Sequence, residues 1–201
     1  INEMAHLHGV KANISVRINP DIDAHTHKYV TTGLYENKFG ISNHEFDKLI
    51  EFIQKSEHIN FIGLHFHIGS QITRVDEVFS LECKRVNEIV KYFESKGLTV
   101  RNINLGGGLG VDYDDPDGNP IADFKTWFNA IDRNIIRRAD QTVHVEPGRS
   151  LVAQCASLIS RVLFVKSGET KNFLIMDAGM NDLIRPALYG AYHKIENLSA
   201  A

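Results

Sequence analysis

Glu146, Pro147, Gly148 and Arg149 follow one another where an alternating apolar run, Val143 and Val145, comes to an end. A strand that stops on a carboxylate beside a glycine and an arginine makes either a plain turn or a ligand site. The ligand such a site suits has two poles. A carboxylate stabilises a protonated ring nitrogen, because the opposite charge favours the cation. Pro147 turns the chain, after which Gly148 and Arg149 can offer N–H groups to an anion.

Two further stretches carry chemistry. In "GLHFHIGSQ" (63–71) His65 and His67 are two apart, so on a strand both point to one face. Such a pair at a strand end is also a metal-ligand pattern, and a metal-dependent hydrolase could be built on His65 and His67. That chemistry needs more His, Asp or Lys ligands at other strand ends. Among the later strand ends only His144 competes as a histidine. The plain alternative is a packed pair that hydrogen-bonds internally. Gly69 and Ser70 favour an anion instead, since backbone N–H groups and a hydroxyl suit phosphate, so no metal is expected. "LGGGLG" (105–110) contains Gly106, Gly107 and Gly108 in succession. Glycine lets the backbone approach a ligand closely and take positive φ. A flexible turn is the plain alternative here. A dinucleotide is disfavoured, because no acid closes a following strand about 20 residues on. Two strand ends that both offer anion-binding backbone point to one phosphate gripped from several sides. A phosphate carried by a protonated pyridine, which acts as an electron sink, describes pyridoxal 5'-phosphate.

The elements that must position these residues alternate. Ile14, Val16 and Ile18 make an apolar strand closed by "NPD". Ser42 and Glu45 form a capping-box pattern, and Phe46, Leu49, Ile50 and Ile53 follow at helical spacing. "INFIGLHFHIG" (59–69) reads as a second strand. Val78, Leu81, Val86, Ile89 and Phe93 line a second helix that Gly97 stops. "TVRNINLGGG" (99–108) is a third strand, Phe124, Trp127, Phe128, Ile131 and Ile135 mark a third helix, and "QTVHVEPG" (141–148) is the fourth strand. Four strands separated by helices imply right-handed βαβ crossovers and a parallel sheet.

Chemistry sits at the C-terminal strand ends both in (β/α)8 barrels and in open doubly wound sheets. The barrel is favoured because all four strand ends carry candidate residues. A whole barrel takes about 250 residues. Residues 1–149 are therefore expected to form the C-terminal half of a (β/α)8 TIM-like barrel, within a fragment of a longer protein. Beyond Arg149 the rhythm changes. "SLVAQCASLISRVLFVKSG" and "KNFLIMDAG" read as strands joined by a short turn, so 150–201 is expected to begin a β-rich domain. The fold class is α/β.

Composition bounds the partners. With 22 basic and 25 acidic residues the net charge is -3, so there is no electrostatic case for nucleic acid. The pairs Arg137-Arg138 and Asp114-Asp115 read as solvated surface. No apolar run approaches the roughly 18–20 residues of a membrane span. Cys83 and Cys155 are far apart, without CxxC spacing, and read as reduced core thiols of a cytosolic protein.

In this order, "HFHIGSQ", "NLGGGLG", "VEPGRSLVA" and "MNDLIRPALYGAYH" resemble the diaminopimelate decarboxylases, and "RINPD" and "NKFGI" belong to the same pattern. The wider group includes ornithine and arginine decarboxylases, with an alanine-racemase-like barrel and a β domain. The resemblance covers essentially all 201 residues, matching the middle and later parts of a full-length member. It implies decarboxylation of meso-2,6-diaminopimelate to L-lysine and CO2, the last step of lysine biosynthesis. Arginine, ornithine and carboxynorspermidine are the alternative substrates within the group, and "RPALY" points to diaminopimelate.

Carried over by motif, the resemblance implies a role for each site residue. His67 stacks on the cofactor ring and Glu146 holds its nitrogen. Ser70, Gly108, Gly148 and Arg149 surround the phosphate, Gly107 belongs with the cofactor-binding residues, Pro147 shapes the turn, and Arg17 supports the site. Arg149, Arg185 and Tyr189 contact substrate carboxylate. Arg185 and Tyr189 are four apart, so on a helix opened by Pro186 they share a face. Arginine also suits bidentate carboxylate recognition. The plain alternative for Arg185, a surface arginine, fits poorly with its apolar flanks. A cytoplasmic homodimer acting on a small amino acid is the implied setting.

Two features depart from the pattern. The group's lysine that bonds covalently to the cofactor lies on the first barrel strand, upstream of this sequence. "VKAN" (10–13) imitates its neighbourhood, but Lys11 precedes "ISVRINPD", a later strand, and reads as a solvated turn residue. The group's catalytic cysteine and C-terminal tyrosine come after Ala201, so Cys155 is not assigned that role.

Overall fold

The computed structural model describes residues 1–22 and 39–199; Asn37 and Lys38 of "NKFGI" lie outside the described residues. A short helix, α1 (Asn2–Leu7), precedes strand β1 (Ala12–Arg17). The Ser42–Glu45 capping box forms with both of its arms, around a single 3-10 turn that feeds α2 (Phe46–Lys55). Phe46, Ile50 and Ile53 face inward from α2, as their spacing requires. Then come β2 (Ile59–His65), α3 (Val75–Ser95), β3 (Asn102–Asn104), α4 (Phe124–Asn134) and β4 (Thr142–His144).

The four strands form one parallel sheet in the order β1-β2-β3-β4. Each helical crossover returns the chain beside the strand it left, as expected for βαβ units. The register sets Arg17, His65, Asn104 and His144 side by side across the sheet. β3 and β4 are shorter than their apolar runs imply, three residues each. Beyond them the backbone continues to link the strand ends: Leu105 N–H donates to the His144 carbonyl and Glu146 N–H to the Gly106 carbonyl.

The core lies between helices and sheet. Val78, Phe79, Cys83, Val86, Ile89, Val90 and Phe93 of α3 are buried there, with Trp127 of α4 against Phe79 at 5.4 Å. Two expected core positions turn outward: Leu81 is 51% exposed and Phe128 48%. On a 3.6-residue period, 78, 82, 86, 89 and 93 share the inner face, so Glu82 takes the slot assigned to Leu81. Burial pushes the Glu82 carboxyl well above the usual carboxylate range, so it sits in the core as a neutral acid.

The chain divides into two compact units. The first comprises Ile1–Val111 and Ile121–Leu151; the second comprises Asp112–Pro120 and Val152–Ala201. Residues 150–160 do not form a strand: a helical turn, α5 (Arg149–Val152), gives way to irregular chain. The antiparallel ribbon of the second unit is β5 (Val162–Ser167) with β6 (Asn172–Met176), followed by α6 (Arg185–Tyr189). Cys155 is exposed rather than in the core, whereas Cys83 is buried. Burial pushes the Cys83 thiol up to about 12, which leaves it unreactive. Among the described residues no helix is long and apolar enough to cross a membrane.

Candidate cofactor site

The C-terminal ends of β1 to β4 bring most of the expected residues together in the first unit. Glu146 lies two residues past β4 and is anchored from β3. Asn104 Nδ2 donates to Glu146 Oε1 at 2.8 Å, while Asn104 Oδ1 accepts the Gly106 N–H at 2.8 Å. His65 Nε2 stands 3.6 Å from the same Glu146 oxygen. Among the described residues Glu146 Oε2 accepts no hydrogen bond, and the side chain is 54% exposed, so one carboxylate oxygen is available to a ligand. Arg17, beside His65 in register, lies over the Phe39 ring at 5.1 Å. Burial draws the Arg17 guanidinium below its ordinary value and Glu146 opposes this; it stays charged.

His67 follows β2 and is half-buried; its Nδ1 accepts the Gly107 N–H at 3.4 Å. Burial lowers its pKa first, the Arg17 and His65 charges lower it further, and Glu146 opposes them. His65 is lowered by burial too, with Glu146 opposing. Both imidazoles are therefore neutral near pH 7. A neutral, planar ring suits contact with an aromatic face.

At the other end of the site Arg149 reaches back to the loop after β2. Its Nη2 donates to Ser70 Oγ at 2.9 Å and its Nη1 to Gln71 Oε1 at 3.3 Å. Gln71 in turn brackets Val111: Nε2 donates to the Val111 carbonyl at 2.6 Å and Oε1 accepts the Val111 N–H at 3.2 Å. One amide thus ties the ends of β2, β3 and β4.

The glycines of "LGGGLG" also have a packing role. They press backbone on backbone. A Cβ on Gly107 would lie 1.8 Å from the Glu146 carbonyl oxygen. Gly108 has φ +105°, and a Cβ there would lie 2.2 Å from the Gly69 carbonyl oxygen. Their role is to let three strand-end loops touch. Gly107→Ala must therefore push the Glu146 turn away. The expected cost is about 1–3 kcal/mol or more, read as a lower melting temperature. An unchanged melting temperature would contradict this packing.

What remains available is a donor set. Among the described residues the Gly108 and Gly148 N–H groups meet no acceptor, and the Ser70 hydroxyl and Arg149 guanidinium stand together. With the anchored Glu146 carboxylate and the neutral His67 ring, this set matches a group with a phosphate and a ring nitrogen. The residues present fit pyridoxal phosphate. Among the described residues no three His, Cys, Asp or Glu side chains gather in a way that could hold a metal ion.

Arg185 and Tyr189 belong to the second unit, where they meet on α6. The Arg185 guanidinium carbon is 5.6 Å from the Tyr189 ring centre and 5.4 Å from that of Tyr113. Pro186 lies in the first turn of α6 and Gly190 closes it, as the sequence implies. Asn104, Gln71 and Tyr113 were not among the expected site residues. Gln71 stands in the quoted "HFHIGSQ" and Asn104 opens "NLGGGLG", so their motifs were the signal that could have found them.

The family model described as "Pyridoxal-dependent decarboxylase, pyridoxal binding domain" matches residues 1–153. The chain belongs to this family. A metal-dependent hydrolase built on His65 and His67 is thereby set aside. Among the decarboxylases, the diaminopimelate decarboxylase of Bacteroides thetaiotaomicron is 51% identical over 200 residues, covering 100% of this chain and 52% of that protein. The diaminopimelate decarboxylase of Helicobacter pylori strain J99 is 40% identical over 195 residues, covering 97% of this chain and 47% of that protein. A solved mutant of the Helicobacter pylori enzyme, complexed with L-lysine, superposes with a TM-score of 0.88 at 38% identity; the match covers 100% of this chain and 49% of that one. The chain thus spans about half the length of the curated relatives it matches.

Proposed function

We propose that the full-length protein decarboxylates meso-2,6-diaminopimelate to L-lysine and CO2 with pyridoxal phosphate. The observation that carries this reading is the pair of anchored ends on one turn. Glu146 is held by Asn104, and three residues on, Arg149 is held by Ser70 and Gln71. The names of the relatives and the L-lysine bound to the Helicobacter pylori enzyme support the substrate. When bound, the cofactor supplies the electron sink for the carbon that loses CO2. Each residue of the chain then has a task. Glu146 keeps a proton on the pyridine nitrogen through opposite charge. His67 lies against the ring, and Arg17 adds its charge beside Glu146. Ser70, Gly108, Gly148 and Arg149 grip the phosphate around the Pro147 turn, and Gly107 serves the cofactor by donating to the His67 ring that lies against it. Arg185, Tyr189 and Arg149 bind substrate carboxylate. The setting is a cytoplasmic homodimer, with residues 1–149 in the barrel and 150–201 opening the β domain.

The covalent anchor lies elsewhere in the full-length protein. Lys11 is exposed and precedes β1, while Arg17 ends it. Six strand residues at about 3.3 Å each set the two ends roughly 20 Å apart. Lys11→Ala in the full-length enzyme is expected to leave the visible absorption band of the covalently held cofactor intact; loss of that band would make Lys11 the anchor. The function itself is tested by supplying meso-diaminopimelate to the full-length protein before and after the cofactor is stripped. L-Lysine should form only with cofactor present. Lysine formation by the stripped protein, or none by the loaded one, contradicts the reading.

A further inference from the structure

We infer that Asn104 is a positioning residue that fixes the Glu146 carboxylate by donating to one of its oxygens. The amide cannot turn around, because its oxygen is committed to the Gly106 N–H at 2.8 Å, so its NH2 must face Glu146 Oε1, also at 2.8 Å. The backbone closes the arrangement, since Glu146 N–H donates to the Gly106 carbonyl at 2.5 Å. Asn104, Gly106 and Glu146 thus form a ring of three hydrogen bonds that links the ends of β3 and β4. One donor on Oε1 leaves Oε2 as the oxygen for the ring nitrogen. The other charged or titratable groups toward Glu146 are His65 and His67 from the β2 end and Arg17 from β1. None of these is within ordinary hydrogen-bond distance of Oε1, so Asn104 is the orienting contact. The inference rests on the cofactor reading.

Asn104→Asp separates orientation from simple capping. Ionised, an aspartate still accepts the Gly106 N–H, and accepts it better, but it faces Glu146 with a like charge. Protonated, it can donate to Glu146 Oε1 as the asparagine does. The pair then shares a proton with a raised pKa. In the full-length holoenzyme kcat of Asn104→Asp should fall about 10- to 100-fold at alkaline pH, the range expected for a hydrogen bond to a charged group, with KM and cofactor content near wild type. It should recover toward wild type as pH falls, whereas Asn104→Ala should stay low throughout. A capping role alone gives the opposite slope, because the ionised aspartate caps best.

A second readout uses the cofactor-free full-length protein. A carboxyl whose pKa is raised on folding supports the fold below its unfolded pKa and loses that support as pH rises toward the folded value. The melting temperature of Asn104→Asp relative to wild type should therefore fall with rising pH. Wild-type kcat for Asn104→Asp at alkaline pH, or loss of the cofactor in that variant, overturns the assignment. A wild-type protein that takes up no pyridoxal phosphate overturns the cofactor reading itself, and this inference with it.

Discussion

Arg185→Ala in the full-length enzyme is expected to lower kcat/KM for diaminopimelate by about two orders of magnitude or more and to leave cofactor content unchanged. Diaminopimelate differs from lysine by one carboxylate, so selection requires a cation at the end of the substrate that does not react. The Arg185 guanidinium carbon lies over the rings of Tyr113 and Tyr189, at 5.4 and 5.6 Å. Aromatic faces attract a guanidinium, and its planar fork suits a carboxylate bidentately. Hydrogen bonds to charged groups contribute roughly 1.5–3 kcal/mol each, and each 1.4 kcal/mol is a factor of ten. Losing a bidentate pair thus exceeds a hundredfold. Arg185→Lys is also expected to lose activity, since a point charge does not reproduce the fork. If Arg185→Ala instead released the cofactor and left KM alone, Arg185 would be a structural residue, and the choice of diaminopimelate would lose its physical basis.

Glu146→Gln is the second large effect. The variant should retain cofactor, because the phosphate donors are untouched, and turnover should fall sharply. The amide keeps the shape of the side chain and can still accept from Asn104, but it carries no charge to hold a proton on the ring nitrogen. Each pKa unit lost by that nitrogen corresponds to about 1.4 kcal/mol of missing stabilisation. The measurement is kcat at constant cofactor occupancy. Wild-type turnover by Glu146→Gln would remove the proton-holding role from the account.

Much of the parallel sheet was legible because apolar periodicity and strand-end composition report on it directly. The four strands, their helical crossovers and the Ser42–Glu45 cap follow from such local signals. What escaped has physical reasons too. Glu82 fills a core slot because helix geometry, not polarity, decides which residues face inward, and a buried acid can shed its charge. Asn104 and Gln71 act through bonds that join separate strand ends, and no periodic pattern marks a side-chain amide of that kind. The glycine run was legible as a special backbone, but its packing against the next strand end was not. Gly107 meets the Glu146 carbonyl, a contact between residues 39 positions apart. The segment Asp112–Pro120 groups with the second unit for the same reason: its contacts are distant in sequence.

The most direct test of the function is competition in one vessel. The full-length protein, loaded with pyridoxal phosphate, is given meso-diaminopimelate, arginine and ornithine at equal concentrations, and the products are identified by mass spectrometry. The account predicts L-lysine together with one CO2 per diaminopimelate consumed, while arginine and ornithine remain. Decarboxylated arginine or ornithine beside unconsumed diaminopimelate would contradict it.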